Sequence, residues 1–482
     1  MIHTASFLFR KINKKHTLGR LKNRFIHYSK ETTNTSKILT PGCLQFIEDI
    51  YNSNSSSYEE VIQLRKLNNK KKNFTFRDDT ADIRESDWKA SKLPDDLQNR
   101  NVEITGPGNS KKMIINAFNS GADGYMLDLE DSMTPSWYNV INGHHNIKEA
   151  VRRKLVDNKY DENNNLIKTY KINGGKLPTF FTRIRGLHML EENVTVNNKP
   201  IPATIFDMAT FMYHNAEYLI KNYKGPYLYI PKLESYEDAK FINKLLIDIQ
   251  NKLSIPVGMT KVTCLIETYP AIYQTEEIIY ALKDHIVGLN CGRWDYLFSM
   301  IKSLPKNHIM PYRNELSMDK AFLENYVHQI VNSCHKRGIL AIGGMSAFIP
   351  TGNAEENKNI LEKIKKDKIT EIERGCDGAW VAHPDLVNPI KQLFVDKLDG
   401  NKNLIHVQPK VNKKFNDTPK QSEFIILESD LRTNINISLQ YISAWLSGNG
   451  AVALNGMMED LATSEISVFQ IKQWLNNREE IL

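Results

Sequence analysis

From about residue 100 the chain settles into a repeating rhythm. Short runs rich in β-branched and aromatic residues alternate with longer stretches whose apolar positions recur at helical spacing. The pattern predicts strands over 102–105, 125–129, 179–184, 227–231, 261–266, 286–290, 340–343 and 379–382. Helical patterns fall between several of them, over 111–120, 235–252, 318–337 and 355–374. Eight strands with helical crossovers predict an α/β fold, a closed parallel TIM (β/α)8 barrel; an open doubly wound sheet has the same local pattern. Upstream, 44–51 and 58–67 read as helix. The Asn/Ser run at 52–57 reads as an exposed loop and 31–44 as a polar linker. Beyond residue 400 the alternation stops, and a polar loop leads to helices over 434–446 and 461–475. The expected organisation is a leader or tail (1–35), an N-terminal helical segment (36–100), a barrel (101–398) and a C-terminal helical cap (399–482).

A parallel barrel should gather its polar chemistry at the carboxyl ends of its strands, and the charges fall there. Asp128, Glu130 and Asp131 end the second predicted strand, Arg183 and Arg185 the third, Lys232 and Glu234 the fourth and Glu267 the fifth; Asp295 follows the sixth. Glu267 and Asp295 on adjacent strand ends would repel unless a cation neutralised them, or unless each paired with an arginine. Hard carboxylate oxygens, with water and substrate completing the shell, suit magnesium. Strand alternation puts Arg183 and Arg185 on one face, available to hold an oxyanion or to form salt bridges with Asp128, Glu130 or Asp131. Asp460 stands just before the last helix, where position alone suggests an N-cap. Gly106-Pro107-Gly108 and Gly343-Gly344-Met345 follow strands and read as turns.

Composition narrows the class. Of 482 residues, 41% are hydrophobic and 25% charged, an ordinary globular balance. No apolar run approaches the roughly 20 residues a membrane helix needs. The five cysteines are scattered without a C-x-x-C pair, which argues against a disulfide framework or a zinc ribbon. The net charge is +7, but Arg10, Lys11, Lys14, Lys15, Arg20, Lys22, Arg24 and Lys30 precede the first acidic residue, Glu31. The remainder is close to neutral, so no nucleic-acid field is implied. The basic, acid-free leader is similar to a mitochondrial presequence, and 20–28 resembles a peroxisomal amino-terminal signal, so an organellar import receptor is an expected partner. An inert tail would leave the protein cytoplasmic.

The stretch Gly288-Leu289-Asn290-Cys291-Gly292-Arg293-Trp294-Asp295-Tyr296, with the residues around it, resembles the signature of the malate synthases. Segments 80–88, 102–107, 129–132, 183–188, 231–235, 266–270, 343–345, 377–384 and 457–460 extend the likeness in order over about 38–476. The resemblance is to the shorter, single-barrel type. It implies condensation of acetyl-CoA with glyoxylate and hydrolysis of the thioester to malate and CoA, the glyoxylate-cycle reaction, with magnesium. It implies Glu267 and Asp295 as metal ligands, and amides around Gly292, Trp294 and Asp295 as the cradle for the glyoxylate carboxylate. Asp460 becomes the base for the acetyl methyl. Arg183 becomes the electrophilic partner, oriented by Glu130, with Arg185 as the alternative. Ser132, Ala382 and Pro384 are the implied CoA contacts. Leu187 stands where the family usually has Trp, and Ser132 replaces a small apolar residue. Only 22 residues follow Asp460, which implies a short cap. Two other readings share these residues: a related lyase or aldolase acting on malyl-CoA or citramalyl-CoA, and a barrel that has lost catalysis and serves as a binding or structural protein.

Overall fold

The computed structural model describes residues 26–29, 33–71, 73–222, 225–305, 308–318, 320–351, 353–407 and 425–477. Eight strands form a closed barrel: β1 (Val102–Pro107), β2 (Gly124–Asp128), β3 (Thr179–Arg183), β4 (Tyr227–Ile230), β5 (Lys261–Ile266), β6 (Ile286–Cys291), β7 (Leu340–Ser346) and β8 (Gly378–Val381). Every neighbouring pair is parallel, in sequential order, and β8 closes on β1. The open sheet is thereby excluded. The strands are buried along nearly their whole length, which is why they read as continuous apolar runs rather than alternating ones. One core fills the barrel with Met126, Phe181, Tyr229, Leu265, Val287 and Trp380. A second and larger core lies between strands and helices.

The crossover helices start where side-chain caps satisfy their first amides. Ser110, Ser136 and Ser235 accept from the backbone of Met113, Asn139 and Asp238. Gly338, in the left-handed region, ends the helix Ala321–Arg337.

Upstream of the barrel three expectations are corrected. A single helix of 28 residues, α1 (Pro41–Asn68), runs through the Asn/Ser segment that reads as a loop. Asn54 is buried on the inner face, where its amide donates to the Ile50 carbonyl and to Asp248 at 3.0 Å. Tertiary packing there overrides the low helix propensity of 52–57. The predicted linker holds a short helix, Thr35–Ile38, followed by Thr40 as N-cap and Pro41 in the first turn of α1. Most of the leader lies outside the described residues. Its end does not belong to a tail: Ile26–Tyr28 pairs antiparallel with Leu190–Val196, which also pairs with Lys199–Pro202. Ile26 is fully buried, and the Trp137 indole donates to the Ser29 carbonyl.

The cap is α2 (Glu428–Leu446), a hairpin of Val452–Leu454 and Met457–Glu459, and α3 (Leu461–Asn476). The hairpin docks on the loop after β7. Met458 N–H donates to the Ala347 carbonyl at 2.7 Å, and Ile349 N–H to that of Gly456 at 2.9 Å. Tyr441 of α2 reaches the Gly450 carbonyl at 2.7 Å.

Candidate active site

Register brings the charged residues together at the carboxyl mouth. Asp128 and Arg183 are direct neighbours across β2 and β3. Ile266 pairs with Cys291 across β5 and β6, which sets Glu267 against Gly292. A Cβ on residue 292 would lie 2.5 Å from that of Glu267, so only glycine lets the strand turn there. The helix Arg293–Ser303 begins at this turn, with Asp295 in its first turn and its amino end toward the mouth. At β7, a Cβ on Gly343 would strike the Glu371 carboxylate, which is buried and paired with Lys368 at 2.9 Å.

One cavity is lined by Arg183, Glu267, Gly292, Trp294, Asp295 and Asp460, and Ser132 and Ala382 also line it. Pro384 does not; it opens the helix Pro384–Leu398. The Ser132 hydroxyl donates to Asp128 at 2.6 Å.

Arg183 is gripped by Asp128 in a two-pronged bond, at 2.6 Å from Nε and 2.5 Å from Nη2. Glu130 and Asp131 stand farther off its Nη1, at 3.5 and 3.9 Å. Asp128 is therefore the residue that fixes the guanidinium most directly, a part the resemblance gives to Glu130. Arg185 points elsewhere: it pairs with Asp207 at 2.8 Å and Glu191 at 2.8 Å and does not line the cavity. β3 ends at Arg183, so strand alternation no longer governs Arg185.

Lys232, left without a role by the sequence, stands among the acids. Its ammonium is 2.6 Å from Asp131, 3.2 Å from Glu130 and 3.3 Å from Asp295. Its amide donates to Glu267 at 2.7 Å. Asp128, Glu130, Asp131, Glu267, Asp295 and Asp460 thus stand about two cations, Arg183 and Lys232. Burial pushes Glu130 and Asp295 well above the usual carboxylate range, with the Asp131 charge adding to it. For Asp131, burial also acts upward, but Lys232 and Arg183 outweigh it and hold the carboxyl below its ordinary value. Both Glu130 oxygens and Asp295 Oδ1 are buried and accept no well-formed hydrogen bond, the Lys232 ammonium being near them only as an ion pair. Excess negative charge and orphaned hard oxygens fit a divalent ion such as magnesium. Among the described residues no group of three or more His, Cys, Asp or Glu is placed to hold a metal. Magnesium commonly takes one or two carboxylates and keeps its waters.

Asp460 occupies the N-cap position of α3, but its side chain makes no capping bond. Burial, then the charge of Asp131, pushes it up to about 7. Beside it Glu459 forms a buried pair with Arg313 at 2.7 Å and accepts from Thr463 at 2.7 Å. Neither Arg313, between β6 and β7, nor Glu459, at the end of the cap hairpin, is given a role by the sequence.

A closed parallel barrel with an acidic, cation-bearing mouth beneath a helical cap defines the class: a (β/α)8-barrel enzyme with its site at the strand ends. Residues 179–420 match the family model "Malate synthase, TIM barrel domain", and 425–481 match "Malate synthase, C-terminal". The chain is 41% identical over 416 residues to malate synthase A of Escherichia coli, covering 84% of this chain and 76% of that protein. It is 39% identical over 449 residues to malate synthase of Myxococcus xanthus, covering 92% and 82%. It is 40% identical over 450 residues to the glyoxysomal malate synthase of Candida tropicalis, covering 90% and 80%. The chain belongs to the malate synthase family. In fold it is similar to a Haloferax volcanii malate synthase solved as a pyruvate/acetyl-CoA ternary complex, with TM-score 0.50 and 14% identity over 79% of this chain and 93% of that one.

Proposed function

We propose that the protein condenses acetyl-CoA with glyoxylate and hydrolyses the thioester, releasing malate and CoA. The observation that carries this reading is the meeting of Arg183, Glu267, Asp295 and Asp460 in one cavity, from four separated chain segments, in a member of this family.

A thioester methyl is a very weak acid, so its deprotonation needs both a base and stabilisation of the enolate oxygen as charge forms there. Asp460 is the base: its carboxyl, poised at about 7, holds a proton strongly enough to take one from carbon yet is largely ionised in mildly alkaline solution. Arg183 steadies the enolate oxygen without giving up its own proton, and the Asp128 fork keeps it aimed. Glu267 and Asp295 would hold magnesium, which when bound polarises the glyoxylate aldehyde. The amino end of the helix Arg293–Ser303, at Gly292, Trp294 and Asp295, receives the glyoxylate carboxylate. Ser132 and Ala382 border the path for CoA. The cap keeps bulk water from the enolate until it has attacked the aldehyde carbon.

Incubation of the protein with acetyl-CoA, glyoxylate and Mg2+ tests the reading. Free thiol should appear only when all three are present, together with malate. Accumulation of malyl-CoA would favour the lyase alternative. No product from folded protein would favour a non-catalytic barrel.

The basic leader is read as an organellar address engaged by an import receptor. The glyoxysomal name of the Candida tropicalis relative supports a peroxisomal destination over a mitochondrial one.

A further inference from the structure

Lys232 is bound into the acidic mouth by both of its ends. It follows β4 with φ +52, a left-handed conformation uncommon for a residue bearing a Cβ. That turn aims its amide at Glu267 and its carbonyl at the Arg65 guanidinium of α1. Its ammonium meanwhile reaches Asp131, Glu130 and Asp295. A single residue therefore touches both proposed metal ligands, Glu267 through the main chain and Asp295 through the side chain. Arg183 is already committed to Asp128.

We infer that Lys232 is a resident counter-cation of the metal site. It holds the ligands in place in the metal-free protein, and its charge limits how tightly a divalent ion binds there. Two cationic centres sharing one set of carboxylates repel each other, so the site remains assembled when empty yet does not bind the ion irreversibly. Lys232 acts as a positioning residue. The inference rests on the proposal that Glu267 and Asp295 hold Mg2+.

The test is calorimetric titration of MgCl2 into chelator-treated full-length protein, paired with thermal melting of the same samples. Lys232→Met should bind Mg2+ about tenfold more tightly or better than wild type, since an opposing unit charge has been removed. Its metal-free form should melt lower, and Mg2+ should raise its melting temperature by more than it raises that of wild type. Lys232→Arg should keep the weaker, wild-type-like affinity. If Lys232→Met fails to fold, Lys232→Gln, which keeps the length and a donor, carries the same prediction. Unchanged or weaker Mg2+ binding in the folded neutral variant overturns the inference while leaving the metal reading intact. Wild-type protein that binds no Mg2+, even with glyoxylate present, overturns the metal reading and the inference together.

Discussion

Asp460 sits where a helix would use a carboxylate as a cap, and the protein does not use it so. An ionised side chain partly withdrawn from water, without a capping amide and beside the Asp131 charge, is costly, which is why its carboxyl is pushed up to about 7. Three consequences follow for Asp460→Asn. Turnover should fall by about 10²–10⁴-fold, the usual worth of a positioned base. Magnesium and glyoxylate binding, measured by calorimetry, should survive, because the proposed ligands Glu267 and Asp295 are untouched. In wild type the proposed base must be unprotonated, so kcat should rise with pH through about 7. The same shift sets a stability slope. The folded protein binds this proton more tightly than the unfolded chain, whose Asp titrates near 4, so stability declines as pH rises from roughly 4 to 7. Asparagine removes that decline, and the variant should melt higher than wild type at pH 8. The contrast of Arg183 and Arg185 shows what was legible at this scale. Their residue types and their place at a strand end announced a charged mouth. Which of the two faces it depended on where β3 stops, a detail that period-2 alternation does not contain.

Directed contacts tie the cap to the barrel, among them Trp474 to the Met310 carbonyl and Gln473 to that of His308, and the buried Arg313–Glu459 pair lies next to the proposed base. Glu459 ends the hairpin strand that delivers Asp460. Arg313→Met leaves Glu459 buried and uncompensated, a loss of about 3–5 kcal/mol. Urea unfolding should register that loss, and kcat should drop while Mg2+ affinity, set on the barrel, stays. Restoring neutrality with Arg313→Met/Glu459→Gln should recover much of the stability; a double variant no more stable than the single one would assign the loss to packing instead. Elements were readable where local pattern and tertiary packing agree, as in all eight barrel strands. They were not where a long-range contact decides, as at Asn54 in α1, whose partner Asp248 lies 194 positions away. Nor did the sequence announce the exposed hairpin Val156–Tyr160 and Leu166–Lys171, whose mostly exposed residues lack a buried face to impose alternation.

Across the molecule, the barrel carries two polar clusters at different depths. Toward the amino ends of the strands Arg100, fully enclosed, donates to Glu103 at 2.7 Å, Thr263 at 2.9 Å and the Tyr229 hydroxyl at 2.6 Å. The Trp380 indole closes the set with a 3.1 Å bond to Glu103. At the carboxyl ends lies the acidic mouth. The Trp380 ring joins the two, since it also lies 5.9 Å beneath the Arg183 guanidinium. In this architecture the first end serves stability and the second chemistry, and the two clusters allow that division to be measured. Arg100→Met strands Glu103 inside the barrel and should cost about 3–5 kcal/mol of unfolding free energy. The folded fraction should bind Mg2+ and glyoxylate as wild type does and keep its kcat. A fall in kcat without a change in Mg2+ affinity would mean that the Glu103–Trp380 bond supports Arg183 from below, so that the stabilising layer extends into the site itself. At 5.9 Å the ring is at the outer edge of a cation–π contact, and the guanidinium is held chiefly by the Asp128 fork, which argues for the first outcome.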